Sequence, residues 1–130
     1  MISADILEKI ERLAGANGVI VAAYVFGSSA TGKDRHDSDI DIAIMICGSM
    51  DGFERVRLQT ELSNLLGRDV DLVIFGRATP LLQHQILKYG RLVYEANPKE
   101  RVRQETAARR QYLDSSFLYR MLGKERAHGG

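Results

Sequence analysis

The chain has 130 residues, enough for one hydrophobic core and little beyond it. Its 45% hydrophobic and 27% charged residues are the balance of a globular domain, and no apolar stretch reaches membrane-spanning length. With 18 Lys+Arg against 17 Asp+Glu the net charge is +1. That excludes a broad electrostatic footprint for nucleic acid but leaves room for a local basic patch.

The N-terminal run MISADILEKIERL lacks the apolar h-region of a signal peptide, and the single Cys47 rules out an internal disulfide. Both features point to the cytoplasm, with Cys47 expected as a small buried apolar residue. Ser3 caps a first helix, with Asp5 in its first turn and Ile6, Ile10 and Leu13 on one stripe; Gly15 and Gly18 stop it. Residues 19–26 are almost all apolar and read as a strand covered on both faces. A turn rich in Gly, Ser, Thr and charge, residues 27–37, leads to a second strand over 39–46. It is too short for a helical crossover, so the two strands are expected to be antiparallel neighbours.

A second helix starts near Asp51, with Phe53, Val56, Leu62, Leu65 and Leu66 as its apolar side and Gly67 as its stop. Residues 69–75 (DVDLVIF) form a third strand, which the intervening helix allows to run parallel to the second. Thr79-Pro80 is a cap followed by Pro at the first helical position, opening a helix to about Tyr89 that Gly90 closes. His84 in that helix is read as packing or surface. A short fourth strand at 92–94 precedes a charged helix from Pro98 to about Leu122, which carries Val102, Thr106, Leu113, Phe117 and Met121 at roughly helical spacing. The fold class is α+β, a small mixed sheet with helices packed against it and a C-terminal helix. Residues 1–96 are expected as the core. Residues 97–122 are a helix of the same domain or a partner-binding arm, and 123–130 a flexible tail.

The segment GSSATGK, from Gly27 to Lys33, fits the first seven positions of a Walker A loop. The next position demands a metal-binding hydroxyl, and Asp34 stands there instead. The loop then enters a strand rather than the long helix a P-loop needs, so the Walker reading fails. The strand itself opens with Asp39-Ile40-Asp41. Alternation puts both carboxylates on one face, roughly 6–7 Å apart. Such a pair alone is equally a solvated strand end. Asp71, at the start of the third strand, alters the balance, because three carboxylates converging on one sheet end need cations between them. An all-oxygen set suits Mg²⁺, with Mn²⁺ possible, rather than zinc. Two such ions about 4 Å apart activate an attacking oxygen and stabilise a leaving pyrophosphate.

The Gly-Ser, ten-residue spacer, Asp-x-Asp pattern, with Asp71 as a later strand-borne acid, resembles the nucleotidyltransferase superfamily of DNA polymerase β. The stretch RDVDLVIFGRATPLLQHQILKYGRLVYE further resembles the minimal nucleotidyltransferases, and the likeness covers residues 19–95. The resemblance implies a nucleotidyltransferase fold with Gly27 and Ser28 binding a nucleoside triphosphate. Asp39 and Asp41 would then hold two metal ions, and Asp71 would complete the metal site for the attacking hydroxyl and assist the loss of its proton, which makes all three catalytic. It also implies a role: an antitoxin that transfers AMP from ATP to a tyrosine hydroxyl of a HEPN-domain ribonuclease toxin. The alternatives are a non-catalytic antitoxin that neutralises by binding, or nucleotidyl transfer to a small molecule or an RNA end. Lys33, Arg35, His36 and Arg77 are further basic or titratable residues near the expected site, without an assigned role.

Overall fold

A computed structural model describes residues 2–27 and 39–126 of the chain, so Ser28, Lys33, Arg35, His36 and the last four residues lie outside the described part. The elements are α1 (Ala4–Gly15), β1 (Ile20–Phe26), β2 (Ile40–Ile46), α2 (Gly52–Leu66), β3 (Val70–Ile74), a 3₁₀ turn (Phe75–Arg77), α3 (Pro80–Tyr89), β4 (Arg91–Glu95) and α4 (Pro98–Arg126). The strands form one mixed sheet in the order β3-β2-β1-β4. β1 is antiparallel to β2 and to β4, while β2 and β3 run parallel across the α2 crossover, as the connection lengths require.

Alternation along the strands divides the core into two halves. Ile20, Ala23, Val25, Ile42, Ile44, Leu72 and Ile74 face α1 and α2, where they meet Ile10, Ala14, Leu58, Leu62 and Leu66. On the opposite face Tyr24, Ala43 and Met45 meet Phe75, Ile86 and Ala108 from the 3₁₀ turn, α3 and α4. Each fully buried aliphatic side chain stabilises the fold by about 1.5–3 kcal/mol relative to exposure. The helix starts follow their caps: Ser3 accepts from the Ile6 amide, Asp51 from Glu54 and Thr79 from Leu82. Gly90 is needed for space, because a side chain there would strike the Ile86 carbonyl that its own amide bonds at 2.8 Å. No helix among the described residues is long and apolar enough to cross a membrane.

Three sequence expectations need correction. Phe53 is 78% exposed and Val56 is also exposed; the buried stripe of α2 is Leu58, Leu62 and Leu66, spaced four apart. The polar residues Arg55, Gln59 and Ser63 take the flank toward β3. Gln59 accepts from the Leu72 amide at 2.9 Å, Arg55 donates to the Leu72 carbonyl at 3.1 Å, and Ser63 accepts from the Val70 amide at 3.0 Å. These bonds cover the free edge of the sheet, where unpaired backbone groups invite association with another chain. Cys47 is exposed rather than buried, since it follows the last residue of β2.

The third correction concerns α4. Val102 and Leu113 point outward, and the Phe117 side chain lies outside the described residues. The inward stripe is mostly polar, Arg101, Gln104 and Glu105 with the buried Ala108. Buried Glu105 accepts from the Tyr24 hydroxyl on β1 and pairs with Arg101 at 2.8 Å and Arg109 at 3.5 Å, while Arg101 also pairs with Glu95 of β4. Gln104 donates to the Ile46 carbonyl at 3.0 Å, and His84 of α3 stacks on Tyr112 with ring centres 3.8 Å apart. The tyrosine hydroxyl on this face of the sheet needs a partner once buried, and this selects a polar helix face for docking.

Candidate active site

The parallel pairing of β2 with β3 sets Asp41 beside Asp71, and the antiparallel pairing with β1 sets Asp41 beside Phe26, the residue before Gly27. Asp39 immediately precedes β2 and is exposed. The next amide, Ile40, donates to the Asp69 carbonyl at 2.9 Å, tying the start of β2 to the start of β3. Strand alternation and sheet register therefore put Asp41 and Asp71 on one face at one end of the sheet, with Asp39 close enough for its charge to act on Asp41. This is the face covered farther along by α3 and α4.

Asp41 is half-buried, and its carboxyl is pushed above its ordinary value, first by burial and then by the charges of Asp71 and Asp39. Both causes act against the ionised form. Gly27 turns the chain away from β1 with φ of +72°, and a side chain on it would collide with the Asp41 carboxylate. The left-handed backbone favours glycine there, and any side chain would push the Asp41 carboxylate out of its place.

The donor set fits hard divalent cations: it is all oxygen, and the Asp41 carboxylate resists ionisation first because it is part-buried and then because its neighbours carry the same charge. Among the described residues, no three acidic, histidine or cysteine side chains are already gathered closely enough to hold an ion.

The structure brings Gly27, Asp41 and Asp71 together and leaves Asp39 within electrostatic reach of Asp41. Ser28 lies outside the described residues. Arg77 donates to the Met50 carbonyl and is exposed, and His84 is a packing residue. Sequence reasoning missed Arg55, which reaches the Leu72 carbonyl next to Asp71. Its signal was the polar spacing Arg55, Gln59, Ser63, four residues apart on a helix that precedes an edge strand.

Residues 8–99 match the model of the polymerase beta nucleotidyltransferase family. The chain is 35% identical over 71 residues to protein adenylyltransferase MntA of Shewanella oneidensis, a match covering 55% of this chain and 51% of that protein. It thus spans about half the length of that relative. A crystal structure of a toxin-antitoxin with AMP-PNP superposes with a TM-score of 0.81 at 24% identity, covering 93% of this chain and 98% of the other. The complex of the tri-AMPylated Shewanella oneidensis HEPN toxin with its MNT antitoxin gives 0.75 at 22% identity, covering 94% and 96%. At these identities the superpositions establish the fold. The chain belongs to the polymerase β nucleotidyltransferase family and is a homologue of the adenylyltransferase MntA.

Proposed function

We propose that this chain is a Mg²⁺-dependent protein adenylyltransferase that transfers AMP from ATP to a tyrosine hydroxyl of a HEPN-domain toxin, acting as its antitoxin in the cytoplasm. The observation that carries the reading is the placement of Asp41 between Gly27 on one side and Asp71 on the other. Support for the acceptor comes from the relatives: MntA is a protein adenylyltransferase, and a superposed complex contains an AMPylated HEPN toxin with its MNT antitoxin.

Gly27 holds the triphosphate through backbone that approaches without side-chain hindrance, and Ser28 adds its hydroxyl. Asp39 and Asp41 hold the metal ions, with Asp71 as the third ligand. Bound Mg²⁺ supplies charge neutralisation for the phosphates and for the attacking and leaving oxygens. The tyrosine oxygen forms a bond to the α-phosphorus as the bond to the bridging oxygen of the β-phosphate breaks. Pyrophosphate departs with that electron pair, and Asp71 takes the hydroxyl proton.

Residues 1–96 provide this machinery. The Tyr24–Glu105 bond supports counting the first turns of the C-terminal helix with that domain. The test is transfer of label from ATP, labelled at the α-phosphate, to a HEPN-domain protein in Mg²⁺. Wild-type chain labels it, and Asp39→Ala and Asp41→Ala do not; equal labelling by either variant refutes the metal assignment.

A further inference from the structure

Asp41 has two flanks. Gly27 lies on the β1 side, and Asp71 lies on the β3 side, which is the edge of the sheet. Triphosphate held at the Gly27 turn leaves the β3 flank for the second substrate. On that flank a groove of about 430 Å³ starts at Asp71 and passes between β3, α2 and the start of α3. Its apolar lining includes Val73 and Leu82, both half-buried, and its charged lining beyond Asp71 is Arg55 and Arg77. Each guanidinium spends one donor on a backbone carbonyl, Arg55 on Leu72 and Arg77 on Met50. Five N–H groups per guanidinium leave the others available, and the carbonyl bonds fix where they sit. A carboxylate is repelled at the three aspartates and attracted where Arg55, seated on the Leu72 carbonyl, and Arg77 line the groove.

We propose that this groove receives the acceptor as a polypeptide segment in which the modified hydroxyl is followed or preceded by carboxylate side chains that Arg55 and Arg77 bind. The inference rests on the nucleotidyl-transfer reading above and adds the chemistry of the second substrate. The half-apolar lining and charge complementarity favour a peptide. Arginine forks also bind phosphate, so the RNA oligonucleotide is the arm of the test that decides between the two kinds of acceptor. Fork-shaped Arg–carboxylate pairs supply the geometric selectivity.

The full chain with Mg²⁺ and α-labelled ATP is given tyrosine peptides flanked by Glu, by Gln or by Lys, and separately an RNA oligonucleotide with a free 3′ hydroxyl. The Glu-flanked peptide is expected to have a kcat/KM about tenfold above the Lys-flanked one, the equivalent of one charge-assisted pair. Arg77→Glu is expected to reverse that order through the peptide KM, with the ATP KM unmoved. Arg55→Glu does the same if its melting curve shows it folded, and Arg77→Glu decides the matter if not. Equal use of the Glu- and Lys-flanked peptides overturns the groove assignment, as does an unchanged order in Arg77→Glu or preferential labelling of the RNA. If no peptide is labelled, fluorescence anisotropy of the Glu-flanked peptide separates the two ideas. Binding that Arg77→Glu abolishes supports the groove and counts against the transfer reaction, and absence of binding overturns the groove.

Discussion

Gly27 and Asp41 fit each other as a residue without a side chain fits the carboxylate that fills its place. The pair explains why a glycine ends β1 and why the second acid of Asp-Ile-Asp, rather than the first, is half-buried. Replacing Gly27 by Ala imposes a left-handed backbone on a residue with a Cβ, at about 1–2 kcal/mol of stability. It also displaces Asp41, and misplacement by an ångström can cost about a hundredfold in rate. Thermal melting and the transfer assay measure the two losses separately, and the activity loss is expected to exceed what the fraction unfolded accounts for.

Asp41 also sets a pH dependence. Its folded-state carboxyl is raised above its ordinary value of 3.8 by burial and by Asp71 and Asp39. Between the ordinary and the raised value the folded state binds more protons than the unfolded one, so stability falls as pH rises through that window. A divalent cation among the aspartates offsets the penalty. Melting temperature in Mg²⁺ minus that in EDTA is therefore expected to be larger at pH 7 than near pH 4. Asp41→Asn is expected to melt higher than wild type in EDTA at pH 7 and to lose most of the Mg²⁺ response.

The sheet-to-helix bond between Tyr24 and Glu105 governs how α4 is held. Burial first, then Glu105, pushes the Tyr24 hydroxyl up, so it stays a donor at all physiological pH. Tyr24→Phe leaves Glu105 with Arg101 and Arg109 and is expected to cost about 1 kcal/mol. Glu105→Ala strands the tyrosine hydroxyl and frees Arg101 from its second carboxylate, costing about 2–3 kcal/mol. Urea unfolding gives the magnitudes, and hydrogen exchange is expected to rise in α4 before it rises in the sheet.

Edge protection by α2 yields a contrast within one helix. Gln59→Ala leaves the Leu72 amide without its acceptor and is expected to cost about 1–2 kcal/mol. Phe53→Ser, six residues earlier and largely exposed, is expected to stay within about 0.5 kcal/mol. Denaturant midpoints of the two variants test this, and a larger loss for Phe53→Ser would mean the exposed ring is packed in solution.

Much of this was legible in the residues because strand alternation is rigid. Asp39 and Asp41 two apart, and Asp71 at the head of an apolar strand, needed only a parallel β2–β3 pairing to meet, and the helix between them made that pairing available. The caps Ser3, Asp51 and Thr79 were equally plain. What composition could not reveal was which helix faces turn inward. Phe53 and Val56 are apolar yet exposed, while the α2 positions with hydrogen bonds to offer, Arg55, Gln59 and Ser63, lie along β3. The same applies to α4, where a buried tyrosine hydroxyl on the sheet draws in Glu105 and leaves Val102 and Leu113 outside. Cys47 falls one residue past the end of β2, where an apolar reading no longer holds.

The most direct measurement is the intact mass of a HEPN-domain protein after incubation with this chain, ATP and Mg²⁺. Mass increases by whole AMP units, located on tyrosine and absent with Asp41→Asn, Asp71→Asn or EDTA, are the expected result. An unmodified partner that is nevertheless neutralised, or one modified equally by the aspartate variants, would contradict adenylyl transfer at the Asp39, Asp41 and Asp71 site.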